Sequence, residues 1–585
     1  MPRFLPTLLL ALLLPLQALA AAPAEPRWLS DPAQAFAEAR RSQRPVFLYL
    51  EARWCHWCHV MQEQTLADPA VRRALARHYV ALKVDHDANP LLANRYRDYG
   101  WPALIFLAPD GSEIVKRAGY IAPQDFLRLL EAIERDPSPE SLGGVAVAAA
   151  AQPSLTAEAR ARLLQRHELS YDTRFGGLAT AQKFIDRDSV EYALAHADDP
   201  AERRKAEQTL DAAQALIDPV WGGAYQYSTG SDWQHPHYEK IMRTQAGVLR
   251  IYALAWARLQ RPADLHAAQA MRDYLLGFLR DPGGGFYVSQ DADLVPGEKA
   301  HDYYALDDAG RRARGLPRID RSLYADATGQ AAEALATLYE VSGDAAALQA
   351  AIAAGDWLLR ERRGRDGCFR HGQRDDGQRY LGDCLAPARA FLALYRVTGE
   401  RRWLQQSVAA SDAIIRAFQA KPAGYLTAKA GRSPLAPLPD LAENISLVRH
   451  FNLLRHYGGR KAHGEAAHHA MRYLASERVV EDAFEEAGIL LADEELGRDP
   501  LHLVVVGGKG DAAARGLYDI ALRTPGGYRR LEWWDRKEGP LANADVEYPK
   551  FPRAAGYVCG NGRCSLPSFE AGKYAEAIAK LAAAK

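Results

Sequence analysis

Two groups of residues carry chemistry in this chain. The first is Cys55-His56-Trp57-Cys58-His59, which sets two thiols three positions apart, each followed by an imidazole. C-x-x-C is the spacing of a redox-active dithiol, C-x-x-C-H that of covalent haem attachment, and Cys and His together are zinc ligands. The second lies in three Gly-rich, aromatic loops that begin at Tyr171, Trp221 and Pro282. Together they supply Trp221, Tyr225, Tyr227, Trp233, His235, His237, Glu239, Asp291, Asp293, Glu298, Tyr303 and Tyr304. Aromatic faces beside carboxylates suit a sugar-like ligand, stacked on one side and hydrogen-bonded at its hydroxyls. Glycine-aromatic loops also serve as caps, and Asp is a common turn or N-cap residue.

The elements around the first group decide among its readings. "RPVFLYLEA" before the cysteines is a buried-strand run, and "HVMQEQTLADPAVRRALARHY" after them reads as helix. "VALKVDHD" is a second strand, "LLANRYRDYG" a helix, and "ALIFLAPDGSEIVKRAGY" two strands about an Asp-Gly turn. This β-α-β-α-β-β order, with C-x-x-C between strand and helix, is the thioredoxin arrangement. Trp101-Pro102 stands where such folds place a cis-proline opposite the dithiol. Haem would need an axial ligand and a small helical surround, and zinc a further pair of ligands; neither is at hand.

"MPRFLPTLLLALLLPLQALA" has a basic residue, a short apolar run and Ala18-Leu19-Ala20, the parts of a cleavable secretory signal. The mature protein is expected to be exported, periplasmic or secreted, with no stable membrane insertion. Six cysteines in three close pairs suit an oxidising space. Basic and acidic residues number 73 each, so no polybasic face exists to attract nucleic acid. At 585 residues the chain is too long for one ordinary domain.

After a Pro/Gly/Ala-rich stretch, about twelve amphipathic segments pair at 50–60-residue spacing as far as residue 495. Six helical hairpins predict a closed α/α toroid or an open solenoid. "HLVVVGGKGDAAARGLYDIALRTPGGYRRLEWWD" then reads as strand, turn, helix and strand. Its Gly-Gly lacks the remainder of a nucleotide-loop pattern. Gly560-Asn561-Gly562 between Cys559 and Cys564 is a tight turn that suits a structural disulfide.

Trp54 to Met61, "VALKVD" and Gly100-Trp101-Pro102 resemble the thioredoxin-domain half of the spermatogenesis-associated protein 20 family. "GGLATAQKF", "QYSTGSDWQHPHYEK" and "GGGFYVSQDAD" are similar to that family's toroid loops. The resemblance implies a multidomain chain: an α/β thioredoxin-like domain followed by an all-α (α/α)6 six-hairpin toroid with a small C-terminal α/β appendage. The expected divisions are a signal peptide at 1–20, the thioredoxin-like domain at 21–135, a linker at 136–153, the toroid at 154–495 and the appendage at 496–585.

The expected activity is thiol–disulfide exchange. The alternatives are a carbohydrate-active enzyme with an accessory thioredoxin domain, or a non-catalytic binding or folding factor. Cys55, at a helix N-terminus, should be the partly exposed attacking thiolate, with its pKa below the free value of about 8.5. Cys58 should be the buried resolving thiol, His56 a stabiliser of the thiolate, and Pro102 with Trp101 the surface that holds a partner. His59 is either a proton carrier or an ordinary helix-surface residue. Tyr49 stands where thioredoxins bury an aspartate, which leaves Glu51 or water to take the proton of Cys58. Trp233, His237, Glu239, Asp291, Asp293 and Tyr227 are the expected substrate-binding set. Disulfides are expected at Cys55–Cys58, Cys368–Cys384 and Cys559–Cys564, with no metal and no cofactor. The expected partners are a protein thiol or disulfide, or a small carbohydrate-like ligand.

Overall fold

A computed structural model of the chain describes residues 25–96, 100–139, 148–429, 431, 435–482, 486–560 and 562–583. The expected signal peptide and residues 140–147 of the expected linker lie outside them.

The N-terminal sheet has strands β1 (Val46–Glu51), β2 (Val80–Asp85), β3 (Ala103–Leu107) and β4 (Glu113–Ala118), in the order β2-β1-β3-β4. β1 runs parallel to β2 and antiparallel to β3. β1 and β3 are buried along nearly their whole length, which is why they read as unbroken apolar runs rather than alternating ones. The single helix expected after the cysteines is broken in two. His56–Val60 runs into a wide turn at Met61–Thr65, and a new helix, Pro69–His78, starts at Pro69 with Asp68 accepting from the Ala70 and Val71 amides. Pro and an Asp N-cap begin a helix more readily than they continue one. The Trp101–Pro102 bond is cis.

Six inner helices form a closed ring: Arg187–Ala195, Met242–Leu259, Ala325–Ser342, Leu381–Thr398, Leu441–Gly458 and Glu486–Leu496. Each of the first five packs against the next, and the last returns to the first. Pro200–Ala213, Pro262–Tyr274, Ala345–Trp357, Arg401–Phe418 and Lys461–Leu474 lie outside the first five, and Ala157–Leu169 lies outside the sixth. The solenoid alternative is thereby set aside. The loops joining the hairpins use paired glycines to bring backbone onto helix: a Cβ on Gly222, at φ +70°, would collide with the Ala270 carbonyl.

The inner helices are apolar except for a polar stripe facing the axis. One charged residue from each meets in a belt. Glu191 takes Arg250 at 2.6 and 2.9 Å and Arg449 at 2.7 Å, Arg449 reaches Glu495 at 2.8 Å, and Arg389 holds Glu333 at 2.8 Å. Arg250 and Glu333, 3.9 Å apart, link the two halves.

The C-terminal sheet has the same order and sense as the first. Leu501–Val506 lies parallel to Arg529–Trp534 on one side and antiparallel to Ala555–Gly560 on the other, with the short strand Arg563–Cys564 beyond. Here Gly507-Gly508-Lys509-Gly510 stands where the first domain has its cysteines. Cys559 is bonded to Cys564, and Cys368 to Cys384. Among the described residues no helix is long and apolar enough to cross a membrane.

Burial alone would raise the Glu191 carboxyl, but Arg250 and Arg449 hold it well below the ordinary carboxylate range. Removing one partner of a buried ion pair costs about 3–5 kcal/mol, because the other charge is stranded. Arg449→Ala, which strands Glu495 and takes one of two arginines from Glu191, is expected to lower toroid stability by about that amount, read from the shift of its urea transition. A shift like that of a surface Arg→Ala control would show the belt to be dispensable.

Candidate functional site: a dithiol in the domain seam

Cys55 caps the His56–Val60 helix, its Sγ accepting from the Cys58 amide at 3.2 Å. Cys58 Sγ lies 2.6 Å from it, and both cysteines are free thiols rather than the expected disulfide. Tyr49 donates its hydroxyl to the Cys58 carbonyl at 2.8 Å. Glu51 is held by Lys83 at 3.0 Å and by the Gln62 amide, so it is not poised as the base for Cys58.

The expected exposure of Cys55 is not found: it is 3% exposed. The toroid covers it, Ile241 packing with Trp101 against the buried cluster of Ala52, Trp54, Cys55 and Cys58. Burial pushes the Cys55 thiol well above its ordinary range, the Cys58 sulfur adds to this, and the Glu239 carboxylate adds more. The helix N-terminus is present as expected, but desolvation under a second domain outweighs it. That second domain is what the local sequence could not reveal.

His56 and His59 hold the seam. His56 Nδ1 lies 2.9 Å from Asp293 Oδ1, and His59 Nδ1 3.1 Å from Asp293 Oδ2. His59 Nε2 is 3.6 Å from Asp291 and Arg318 is 3.3 Å from it. Arg318 also donates to the Arg53 carbonyl, and the Ala292 amide to that of Trp54 at 3.5 Å. Burial would lower the His59 pKa, but Asp293 and Asp291 raise it; burial would raise Asp293, but the two histidines bring it down. Asp291 is pushed up to about 6 by burial. Glu239 is 3% exposed, its Oε2 has no hydrogen-bond partner among the described residues and lies 3.9 Å from His237 Nδ1, and burial with Asp293 pushes it up to about 7.

None of the expected substrate-binding set lines the cavity on the toroid axis. Asp291, Asp293 and Glu239 belong to the seam. Trp233 is buried beneath Gly177 and donates to the Phe175 carbonyl at 2.9 Å. Tyr227 stacks on His237 with ring centres 4.3 Å apart. His59 is an interdomain contact, not a helix-surface residue. Pro102 is buried beside Trp101, and the Trp101 ring lies 4.3 Å from that of His86.

A second contact lies opposite. His371 donates through Nε2 to the Asp87 carbonyl at 2.7 Å and pairs through Nδ1 with Asp383 at 3.0 Å. Burial lowers its pKa, but Asp383 lifts it to about 9. His59 with Asp291 and Asp293, and His371 with Asp326 and Asp383, each bring ligand-type atoms within 4.8 Å, so each triad could hold a metal ion. Long-range pairing hid both from the sequence; in the structure His371, lifted to about 9, is a cation to its acids. The chamber on the toroid axis, lined by Asp188, Asp326, Arg187 and the belt, was also missed. Polar residues three or four apart on apolar helices, such as Asp326, Gln330 and Glu333, were its signal.

The fold and site define a class: a thioredoxin-like C-x-x-C domain docked on a six-hairpin α/α toroid. Residues 16–136 match the family model Thioredox_DsbH, described as a protein of unknown function, DUF255. Human spermatogenesis-associated protein 20 is 28% identical over 308 residues, 46% of this chain and 39% of that protein. The alignment thus spans well under half of the relative's length. Over these stretches the chain is similar to this family, as a divergent relative. Thiol:disulfide interchange protein DsbD 1 of Pseudomonas aeruginosa is 42% identical over 98 residues, 16% of each chain. Among solved structures, cellobiose 2-epimerase from Bacillus thermoamylovorans superposes with a TM-score of 0.44 at 12% identity, covering 54% of this chain and 86% of that one.

The seam has a pH window. His59, raised above its ordinary 6.5, contributes fully below that value, and the contribution is lost as pH rises through the folded-state pKa. Asp293, lowered below 3.8, contributes above that value and is lost as pH falls through its own folded-state pKa. Hydrogen exchange of the His56–Val60 amides, corrected for intrinsic rates, is expected to be slowest between these limits and several-fold faster on the alkaline side. Asp293→Asn should abolish the alkaline step; its persistence would assign the step to another group.

Proposed function

We propose that the protein is an exported thiol–disulfide oxidoreductase whose dithiol is held inactive while the thioredoxin-like domain is docked, and works when it separates from the toroid. The observation that carries this reading is the placement of the two sulfurs, 2.6 Å apart at the first turn of a helix, beneath a contact made mostly of ion pairs and hydrogen bonds. Undocking returns Cys55 to water, removes Glu239 and leaves the helix N-terminus to stabilise a thiolate.

The Cys55 thiolate then attacks one sulfur of a partner disulfide and expels the other as a thiolate, forming a mixed disulfide. Cys58, giving its proton to water, attacks Cys55 Sγ and expels the partner's second thiolate. The products are a reduced partner and a Cys55–Cys58 disulfide; the reverse sequence oxidises a dithiol. The similarity to an interchange protein supports the redox reading, and the leader-like N-terminus supports export.

Alkylation of Cys55 by iodoacetamide at pH 7 tests the gate. The rate in the intact protein is expected to lie well below that of a free thiol, and to rise about tenfold or more in Asp291→Asn/Asp293→Asn, because a thiol's reactivity follows its exposure and thiolate fraction. In that background Cys58→Ser should trap a mixed disulfide with an oxidised protein substrate. Equal rates in wild type and double variant, with no trapped species, would reduce the motif to a structural element.

A further inference from the structure

The axis of the toroid is a chamber of about 560 Å3, within the size range of small-molecule sites. Neither cysteine is in its wall. Trp54, Trp101, His86 and Asp87 of the thioredoxin-like domain roof it, the charged belt crosses it, and Tyr528 of the appendage lies at its far end.

Its wall is unbalanced. Ten carboxylates line it against six arginines, and no lysine. The belt pairs Glu191, Glu333 and Glu495, and His371 pairs Asp383. Asp188 has no ion pair among the described residues, and Asp326 shares the nearby His371 with Asp383; Arg187 and Arg243, also in the wall, leave the acids in excess. Asp188 is raised by burial and by Asp186.

A separate observation points the same way. His450 is 5% exposed, lines the chamber and shares its Nε2 with the Ser411 hydroxyl at 2.9 Å. Its Nδ1 has no hydrogen-bond partner among the described residues. Burial, with Arg389 nearby, brings its pKa to about 3, so the ring is neutral. A neutral imidazole bonded through one nitrogen offers the other to a ligand. The roof end is aromatic, with Trp54, Trp101, Tyr324 and Tyr380 in the wall.

We propose that this chamber binds a small aliphatic amine, a mono- or polyamine cation, its ammonium groups taken by Asp188 and Asp326 and its chain lying against the aromatic roof. Excess negative charge in a partly enclosed space is costly unless a cation relieves it, and ammonium over an aromatic face adds further attraction. A neutral polyol would fill the same space and leave the charge unrelieved. The site is distinct from the dithiol, so Cys55→Ser/Cys58→Ser protein should bind equally well whatever becomes of the redox reading.

Equilibrium dialysis of the full chain against radiolabelled putrescine tests this. Binding at one site with Kd below about 1 mM is expected, undisturbed by excess 1,4-butanediol or D-glucose. Asp188→Asn/Asp326→Asn should weaken it at least tenfold. The same double variant, freed of charge crowding, should melt higher than wild type without amine; Asp326→Asn alone serves as the folded control should the pair misfold. No putrescine binding, binding unchanged in the variants, or displacement by the diol or by glucose would each overturn the proposal.

Discussion

A ring of helices with a charged interior holds together only if those charges find one another. In this toroid the requirement is met by a belt that takes one ionic side chain from each of the six inner helices. The pairs join helices distant in sequence: Arg449 and Glu191 are 258 positions apart. A buried ion pair adds little net stability but strongly penalises every arrangement in which it is broken. The belt therefore fixes which helices are neighbours and where the ring closes, while the apolar outer faces supply the bulk of the burial.

That ring presents one mouth to the thioredoxin-like domain, and the seam between them governs the dithiol. The local structure of the C-x-x-C helix favours a thiolate; its surroundings oppose one. Cys55 sits under Ile241 and beside Glu239, and desolvation together with a neighbouring acid outweighs the helix terminus. The histidines flanking the cysteines are spent on Asp293 instead of on sulfur. The same five-residue motif thus carries both the reactive groups and the contacts that cover them, so docking and reactivity cannot vary independently.

The fold was largely legible in the sequence because its signals are local. Strand runs around the cysteines, a turn at Asp110-Gly111 and six recurring helical pairs all lie within short windows. The site was legible only in its covalent part. That Cys55, Cys58 and Trp101-Pro102 assemble follows from the order of elements. That His59 reaches Asp293, or that His371 reaches the Asp87 carbonyl across 284 positions, depends on a docking angle that no periodicity encodes. The aromatic loops misled for a related reason. Trp233 and Tyr227 have the composition of a sugar platform, but whether an aromatic ring faces a cavity or a core depends on the packing of distant helices. The polar stripes on the inner helices were in view, yet a single stripe looks like a solvated face until the ring closes around it.

The two α/β caps share one topology, a parallel pair flanked by an antiparallel strand, and sit at opposite ends of the toroid. Such a sheet presents the loops at one end of its strands as a compact surface, well matched to a circular mouth. In the first domain those loops carry Trp54, His86 and Trp101, which also wall the chamber. In the appendage, Arg529 enters the toroid to join Arg396 on Glu340, and the Tyr457 hydroxyl accepts the Leu531 amide at 2.8 Å. One cap is thus anchored by a buried arginine and main-chain bonds, the other by histidine–carboxylate pairs, in which Asp293 and Asp291 raise the His59 pKa against burial. Of the two ends, the one bearing the thiols is bound by the contacts that a change of protonation releases, so an opening of the chamber would begin there and would expose the dithiol as it began.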